Sequence, residues 1–110
     1  MPIARLFVLK AHPEAASALE ETVDELHRWL GQQPGFIVGW NLRSQARPGE
    51  LVRMTVWESE ADGDRAVSHD QCLALRSKVL LHASEIATAG GGYEAESTRP
   101  SPKRGARRKG

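Results

Sequence analysis

The sequence has few of the residues that form cross-links or metal sites. Cys72 is the only cysteine among 110 residues, so no disulfide can form within one chain. The four histidines do not combine with it in the spacing of a structural zinc site, and we predict no metal site. No apolar run is long enough for a membrane-spanning helix. The opening MPIARLFVLKAH lacks the apolar segment and cleavage site of a signal peptide, so we expect a cytoplasmic protein.

Acidic residues are missing from the end of the chain. All 14 lie at or before Glu96, which leaves residues 1–97 with a net charge of −5. Six of the 15 basic residues follow: Arg99, Lys103, Arg104, Arg107, Arg108 and Lys109. Residues 98–110 hold no apolar side chain larger than alanine and cannot offset the entropy lost on ordering. We therefore predict one domain at residues 1–97 and a disordered basic tail at residues 98–110.

The basic tail has two interpretations. Its positive charges can bind polyanions such as nucleic acid through salt-sensitive phosphate contacts. However, no aromatic side chains for base stacking lie among these charges. The sequence therefore favours a solubilising extension, or one that folds back on the acidic domain, over a nucleic-acid partner.

The apolar pattern of the first half predicts a strand followed by a helix. Residues 3–10, IARLFVLK, are apolar on both faces, as expected for a central strand. The segment His12-Pro13-Glu14 predicts a helix start because proline suits the first helical position, and Gly31 predicts the helix end. The apolar stripe of this helix is Leu19, Val23, Leu26 and Leu30.

Two further strand patterns predict a hairpin. Residues 36–44 and residues 50–58 each alternate in the two-residue period of a strand. The turn Arg47-Pro48-Gly49 joins them, which is typical of a β-hairpin.

The second half predicts two helices and a last strand. A helical region starts at residues 58–60 and is interrupted by Gly63, so we expect a short helix and a longer one from Asp70. The stripe of the longer helix is Cys72, Leu75, Val79, Ala83 and Ile86. The glycines at 90–92 end it, and residues 93–97, YEAES, form a short last strand. This order predicts a ferredoxin-like α+β fold, βαββαβ, with an antiparallel four-stranded sheet.

Two short motifs carry a resemblance to a known family. Residues 34–36, PGF, open the second strand, and residues 56–60, VWESE, lead from the third strand into the broken helix. Over residues 3–96 the chain resembles the antibiotic biosynthesis monooxygenase domain family, whose ferredoxin-like units dimerise through their sheets as α+β barrels. The resemblance implies a homodimer in which a second copy covers the sheet face that the helices leave bare.

The resemblance also assigns the two faces of the third strand. Val52, Met54 and Val56 are predicted to pack against the helices. The residues predicted to face the barrel interior are Leu51, Arg53, Thr55 and Trp57, with Phe36, Val38 and Trp40 from the second strand and Arg5 and Phe7 from the first. All of these except Leu51 and Trp57 are predicted to bind substrate.

The resemblance implies possible catalytic roles for three residues. Trp57 matches the tryptophan that lines the family's cavity and whose N–H can stabilise an oxyanion; the alternative is packing in the dimer core. Arg76 lies where quinone-forming members carry an arginine that would hold a phenolate; the alternative is a solvated helix residue. His69, at the break between the helices, is a candidate general base or a helix cap.

Several positions depart from the family pattern. Quinone-forming members place an asparagine four residues before the tryptophan and a tyrosine six residues after it, where this chain has Arg53 and Gly63. In haem-degrading members an asparagine and an iron-binding histidine match Phe7 and Arg76, neither of which binds haem iron. Haem degradation is therefore disfavoured.

The resemblance implies a cofactor-independent monooxygenase acting on a small phenolic or hydroquinone-type aromatic substrate. Neither flavin nor metal is expected, because the substrate itself supplies the electrons. Two alternatives remain open. One is a non-catalytic, ligand-binding or stress-associated dimeric barrel, and the other is a haem-binding relative that uses an unusual ligand such as His69.

Overall fold

The structure, a computed structural model, describes residues 1–88 and 92–96. The elements in chain order are β1 (Ile3–Ala11), α1 (Ala16–Leu30), β2 (Phe36–Arg43), β3 (Glu50–Trp57), α2 (Glu60–Val67), α3 (Asp70–His82), β4 (Ala83–Thr88) and β5 (Tyr93–Glu94). None of the helices in these ranges is long and apolar enough to cross a bilayer. The predicted tail at residues 98–110 lies outside the described residues.

The strands form one antiparallel sheet in the order β2-β3-β1-β4, and β5 pairs with the start of β1. Helices α1 and α3 cover one face of this sheet through the stripes that their spacing predicts. The buried members of those stripes are Leu19, Val23, Leu26 and Leu30 in α1 and Cys72, Leu75 and Val79 in α3. The predicted ferredoxin-like α+β fold is therefore confirmed.

Two predicted helix boundaries are wrong. Helix α1 begins at Ala16, three residues beyond Pro13, because Glu14 has a positive φ of 67° that places it in a turn rather than a helix. Helix α3 ends at His82, and Ala83–Thr88 forms the fourth strand instead of a last helical turn. This segment pairs with Phe7–Ala11 of β1, which satisfies backbone groups that would otherwise line an open sheet edge.

The interruption expected at Gly63 is also wrong. Helix α2 runs through this glycine, and the break between the two helices falls at Ser68 and His69. The glycine instead lets the side chain of Arg5 pack closely against α2, because a Cβ atom there would lie 2.8 Å from Cζ of Arg5.

The face assignment of β3 is the reverse of the prediction. Leu51 and Trp57 belong to the core under the helices, and Arg53 and Thr55 are buried on the same side. Val52, Met54 and Val56 lie on the other side, which we call the open sheet face. By cross-strand pairing, this face carries Leu6, Val8, Val38, Trp40, Leu42, Val52, Met54 and Val56.

The reversal has a topological cause. Apolar residues occur on both faces of β3, although one face also carries Arg53 and Thr55, so two-residue alternation separates the faces without showing which one the helices cover. The helices are placed by the crossover from β1 through α1 to the parallel strand β2, and such crossovers are right-handed in about 98% of cases. That handedness is a property of the connected chain and leaves no mark on β3 itself.

Polar side chains connect α1 to the edge strand β2. The contacts are Glu20 Oε1 to Arg43 Nε at 2.8 Å, Asp24 Oδ1 to Asn41 Nδ2 at 3.0 Å, and the ring of His27 against Gly39. A Cβ atom at residue 39 would lie 2.4 Å from the imidazole, so only glycine admits this histidine. Burial lowers the pKa of His27, and the Arg53 cation lowers it further.

The lowered pKa of His27 predicts a pH-dependent stability. The unfolded chain binds a proton at this histidine more readily than the folded chain, so stability is lost as pH falls below about 6.5. In urea unfolding between pH 8 and pH 5, the His27→Gln variant should lose less free energy of unfolding than the parent. His12→Gln, at an exposed histidine, is the matched control and should follow the parent. Equal pH dependence in the parent and His27→Gln would contradict the prediction.

Candidate functional site

A cavity of about 110 Å³ lies between the sheet and the helices of a single chain. It is lined by Arg5, Phe7 and Leu9 of β1, Leu26 and Leu30 of α1, Arg53, Thr55 and Trp57 of β3, Val67 of α2, and Cys72, Arg76, Val79 and Leu80 of α3. Arg76 and Leu80 are exposed and mark the solvent side. An apolar cavity of about 150 Å³ binds benzene, so this space is on the scale of one aromatic ring.

Trp57 is both a core residue and a wall of the cavity. Its side chain is 1% exposed, and the ring of Phe36 packs edge-on against it at a centroid distance of 5.3 Å. Its indole N–H donates to Oγ1 of Thr55 at 3.1 Å. The predicted donor to a substrate oxyanion is therefore already paired within the protein. The Thr55 hydroxyl accepts this bond and keeps its own hydrogen available for donation.

Arg53 is a buried cation. Arg53 is 6% exposed, and its Nε and Nη2 atoms are buried without a hydrogen-bond acceptor among the described residues. Its Cζ atom lies 5.6 Å from the ring centroid of Phe7, which provides a cation–π contact. Burial lowers the pKa of Arg53 to about 10, and the side chain still carries its charge at neutral pH.

Arg5 differs from Arg53 because its positive charge is paired with a carboxylate of the protein. Its Nη2 atom donates to Oδ1 of Asp64 at 2.6 Å and to the carbonyl of Glu60 at 3.2 Å. The guanidinium lies against Gly63, where a Cβ atom would be 3.1 Å or less from Cζ, Nε and Nη2 of Arg5. In this chain, Arg5 therefore uses the space at that position.

The α3 side of the cavity carries a cation and a thiol. Arg76 is exposed and forms no ion pair with any part of the chain that the structure describes. Cys72 is buried, and burial raises the pKa of its thiol, although Arg76 and Arg53 partly oppose this change. The thiol is therefore protonated at neutral pH.

Four of the predicted site residues do not line the cavity. The ring of Phe36 packs against Trp57, whereas Val38 and Trp40 lie on the open sheet face as the cross-strand partners of Val56 and Met54. His69 caps α3: its Nδ1 accepts the N–H of Gln71 at 3.0 Å, and its ring contacts Trp29 at 5.1 Å. The helix-cap alternative for His69 is the one the structure supports.

The remaining predicted residues meet in one place. Arg5, Phe7, Arg53, Thr55, Trp57 and Arg76 share the cavity, although it lies inside one subunit rather than between two sheets. The apolar wall from α1 and α3 was not among the predicted site residues, and its only sequence signal is the helical stripe. The Arg5–Asp64 contact joins residues 59 apart and has no local signal.

The lining determines which ligands the cavity favours. Three arginines line it, and its lining contains no acidic or histidine side chain from the described part of the chain. No group of three or more His, Cys, Asp or Glu side chains that could hold a metal ion occurs in the described ranges. Apolar walls with unpaired positive charge favour a small anionic aromatic compound over a cation.

Solved structures of similar fold span nearly all of the chain. A cofactor-independent oxygenase from Streptomyces nogalater, SnoaB, is 19% identical, with a TM-score of 0.80 and coverage of 91% of this chain and 98% of that chain. Rv0793 from Mycobacterium tuberculosis is 21% identical, with a TM-score of 0.72 and coverage of 87% and 100%. A conserved protein from Methanosarcina mazei is 14% identical, with a TM-score of 0.78 and coverage of 87% and 94%.

These likenesses support the fold, and the family follows from the sequence itself. No curated protein matches the chain. The family model described as antibiotic biosynthesis monooxygenase matches residues 2–78, which include β1 to β3, both helices of the broken pair up to Lys78, and most of the cavity lining. The chain therefore belongs to the antibiotic biosynthesis monooxygenase family.

Proposed function

We propose that the protein is a cofactor-independent monooxygenase that oxidises a small phenolic or hydroquinone-type aromatic compound in the cavity beside Trp57. The observation that carries the proposal is the arrangement of Arg53 and Arg76 around an apolar space of about 110 Å³. An apolar space of this size suits one ring, and the two cations suit an aromatic compound that carries negative charge.

The chemistry balances without a cofactor. A phenol loses its proton, and the phenolate passes one electron to O₂, which leaves a ring radical and superoxide. These two combine to form a carbon–oxygen bond, giving a hydroperoxide. Loss of the ring hydrogen with cleavage of the O–O bond releases water and leaves a quinone. One oxygen atom enters the product, the other leaves as water, and the substrate supplies the electrons.

Each residue has a defined part in this proposal. Arg76 stabilises the phenolate, whose pKa is about 10 in water and falls next to a cation, and Arg53 adds a second positive charge to the same cavity. Thr55 donates its hydroxyl hydrogen to a substrate oxygen, and Trp57 holds Thr55 in position while its ring packs on the substrate. Because no described side chain in the lining is a base at neutral pH, the proton leaves to water on the Arg76 side.

A second copy of the chain is proposed to cover the open sheet face. Apart from Lys10 and Glu50 at one end, the residues of β1, β2 and β3 on this face are apolar, and Trp40 is 48% exposed in a single chain. Exposed apolar patches of this kind are unfavourable in water and mark interfaces. The homodimer places the two cavities on its outside, under the helices of each subunit.

We also infer a reducing compartment, the cytoplasm, for a protein whose only cysteine is a free buried thiol.

Oxygen consumption with a panel of single-ring phenols and hydroquinones tests the activity. Arg76→Ala should lower kcat/KM by about 10- to 100-fold, because it removes a charged hydrogen bond to the phenolate. Trp57→Phe should lower it by about 3- to 10-fold. Arg43→Ala, which removes an exposed arginine distant from the cavity, is the matched control and should match the parent. Equal rates in the parent, Arg76→Ala and Trp57→Phe would remove the proposal.

The paired indole N–H of Trp57 favours a second candidate. With no described base in the lining and this N–H already used, the cavity also suits a protein that binds an aromatic anion without oxidising it. Saturable binding of a phenol without oxygen uptake would support this alternative.

A further inference from the structure

We propose that Arg53 makes the protein selective for a single-ring aromatic compound that carries a carboxylate in addition to its hydroxyl group. The inference rests on the proposed function for the hydroxyl group and adds the substrate class. It concerns binding, and therefore can be tested without turnover.

The first step is the unpaired charge of Arg53. Two of its nitrogen atoms are buried without a protein acceptor within reach in the described part of the chain. Buried charges in proteins are normally paired, because removing them from water is costly. A ligand anion would supply the missing acceptors, and a carboxylate matches the planar fork of a guanidinium with two parallel hydrogen bonds.

The second step is the contrast with the other arginines of the cavity. Arg5 has its own carboxylate partner in Asp64, so its charge is already compensated. Arg76 is exposed and keeps its hydration. Arg53 alone among the three is both buried and unpaired. A neutral ligand would leave this buried charge without a partner, whereas an anionic ligand would compensate it.

The third step is the spacing along β3. Arg53 and Thr55 are two residues apart on the same face, and such positions are separated by about 6.5–7 Å in a strand. A benzene ring with substituents at opposite ends spans a similar length. In the proposed pose the carboxylate pairs with Arg53 and the para hydroxyl group lies at Thr55, with the ring between Phe7 and the apolar side chains of the helices.

Binding of 4-hydroxybenzoate and its neutral analogue 4-hydroxybenzamide, measured by isothermal titration calorimetry, tests the inference. The parent should bind the acid about 10- to 100-fold more tightly than the amide. In Arg53→Met the ratio should fall below about threefold, and Arg53→Lys should give an intermediate ratio because it keeps the charge and loses the fork. Arg43→Met, at an exposed arginine outside the cavity, should retain the parent's ratio.

Folding does not obscure the result. Arg53→Met removes a buried unpaired charge and should melt at or above the parent's temperature; if it does not fold, the ratio in the parent and in Arg53→Lys still decides. Equal affinities for acid and amide in the parent, or a preference that survives in Arg53→Met, would overturn the inference. Acid preference without oxygen uptake would sustain the inference while the monooxygenase proposal fails. Oxygen uptake on neutral hydroquinones without acid preference would do the reverse.

Discussion

Replacing Trp57 with alanine is expected to lower the free energy of unfolding by about 3–5 kcal/mol, because this substitution leaves a large void in a core. Trp57 is 1% exposed and contacts Phe36 and Thr55. Domains of this size have total stabilities of only about 5–15 kcal/mol, so the variant should be close to unfolding at 37 °C. Chemical denaturation with tryptophan-independent detection, such as far-UV circular dichroism, measures the loss.

Two further variants define the origin of that loss. Trp57→Phe keeps a ring and removes the donor to Thr55, so it should cost about 1–2 kcal/mol. Leu81→Ala removes an apolar side chain that is 73% exposed on α3 and should cost less than about 1 kcal/mol. A loss below about 1 kcal/mol in Trp57→Ala would show that the site collapses around the void and that Trp57 is not a main support of the core.

Replacing Trp40 with glutamate is expected to convert the proposed dimer into a monomer. In a sheet-to-sheet dimer, the substitution buries one carboxylate from each copy without a partner, at a cost of several kcal/mol per charge. Two such penalties should raise the dissociation constant of the dimer by more than about 100-fold. Because Trp40 is exposed within one chain, the monomer should keep its fold. Sedimentation velocity at a fixed protein concentration reports the change in mass.

The control for this substitution places the same charge elsewhere. Leu81→Glu introduces a carboxylate at an exposed apolar position on α3, away from the open sheet face, and should leave the dimer intact. A monomeric parent, or a Trp40→Glu variant that still sediments as a dimer, would show that a second copy does not cover the open sheet face.

The local apolar pattern of the sequence predicted most of the helices and strands but few of their boundaries. The stripe from Leu19 to Leu30 and the alternation in β3 are repeated signals within single segments, and the structure confirms both. In β2 a register shift between Phe36 and Val38 puts Phe36 on the other face from Val38 and Trp40. The end of α3 at His82 has no comparable signal, because Ala83 and Ile86 also fit a helical stripe. Pairing of Ala83–Thr88 with β1, a strand more than 70 residues earlier, outweighs local helical preference there.

Six of the residues predicted for the site lie together, on the opposite side of the sheet from the one predicted. Trp57, Arg53, Thr55, Arg5, Phe7 and Arg76 do share one cavity, because side chains on one face of neighbouring strands must meet whichever side that face lies on. Their position under the helices, rather than between two sheets, depends on the side from which the helices cover the sheet. His69 was predicted to reach the cavity because it lies at a helix break, but its Nδ1 atom accepts a hydrogen bond from the N–H of Gln71 and caps α3.

By itself, the sequence determined the order and type of the main elements and the two sets of residues on the faces of β3. These are properties of short segments, and periodicity records them directly. Only the tertiary structure decided which set lies under the helices, where α3 ends, and that Arg53 is buried without a partner while Arg5 has one. Those outcomes depend on crossover handedness and on contacts between residues far apart in the chain, which no single segment encodes.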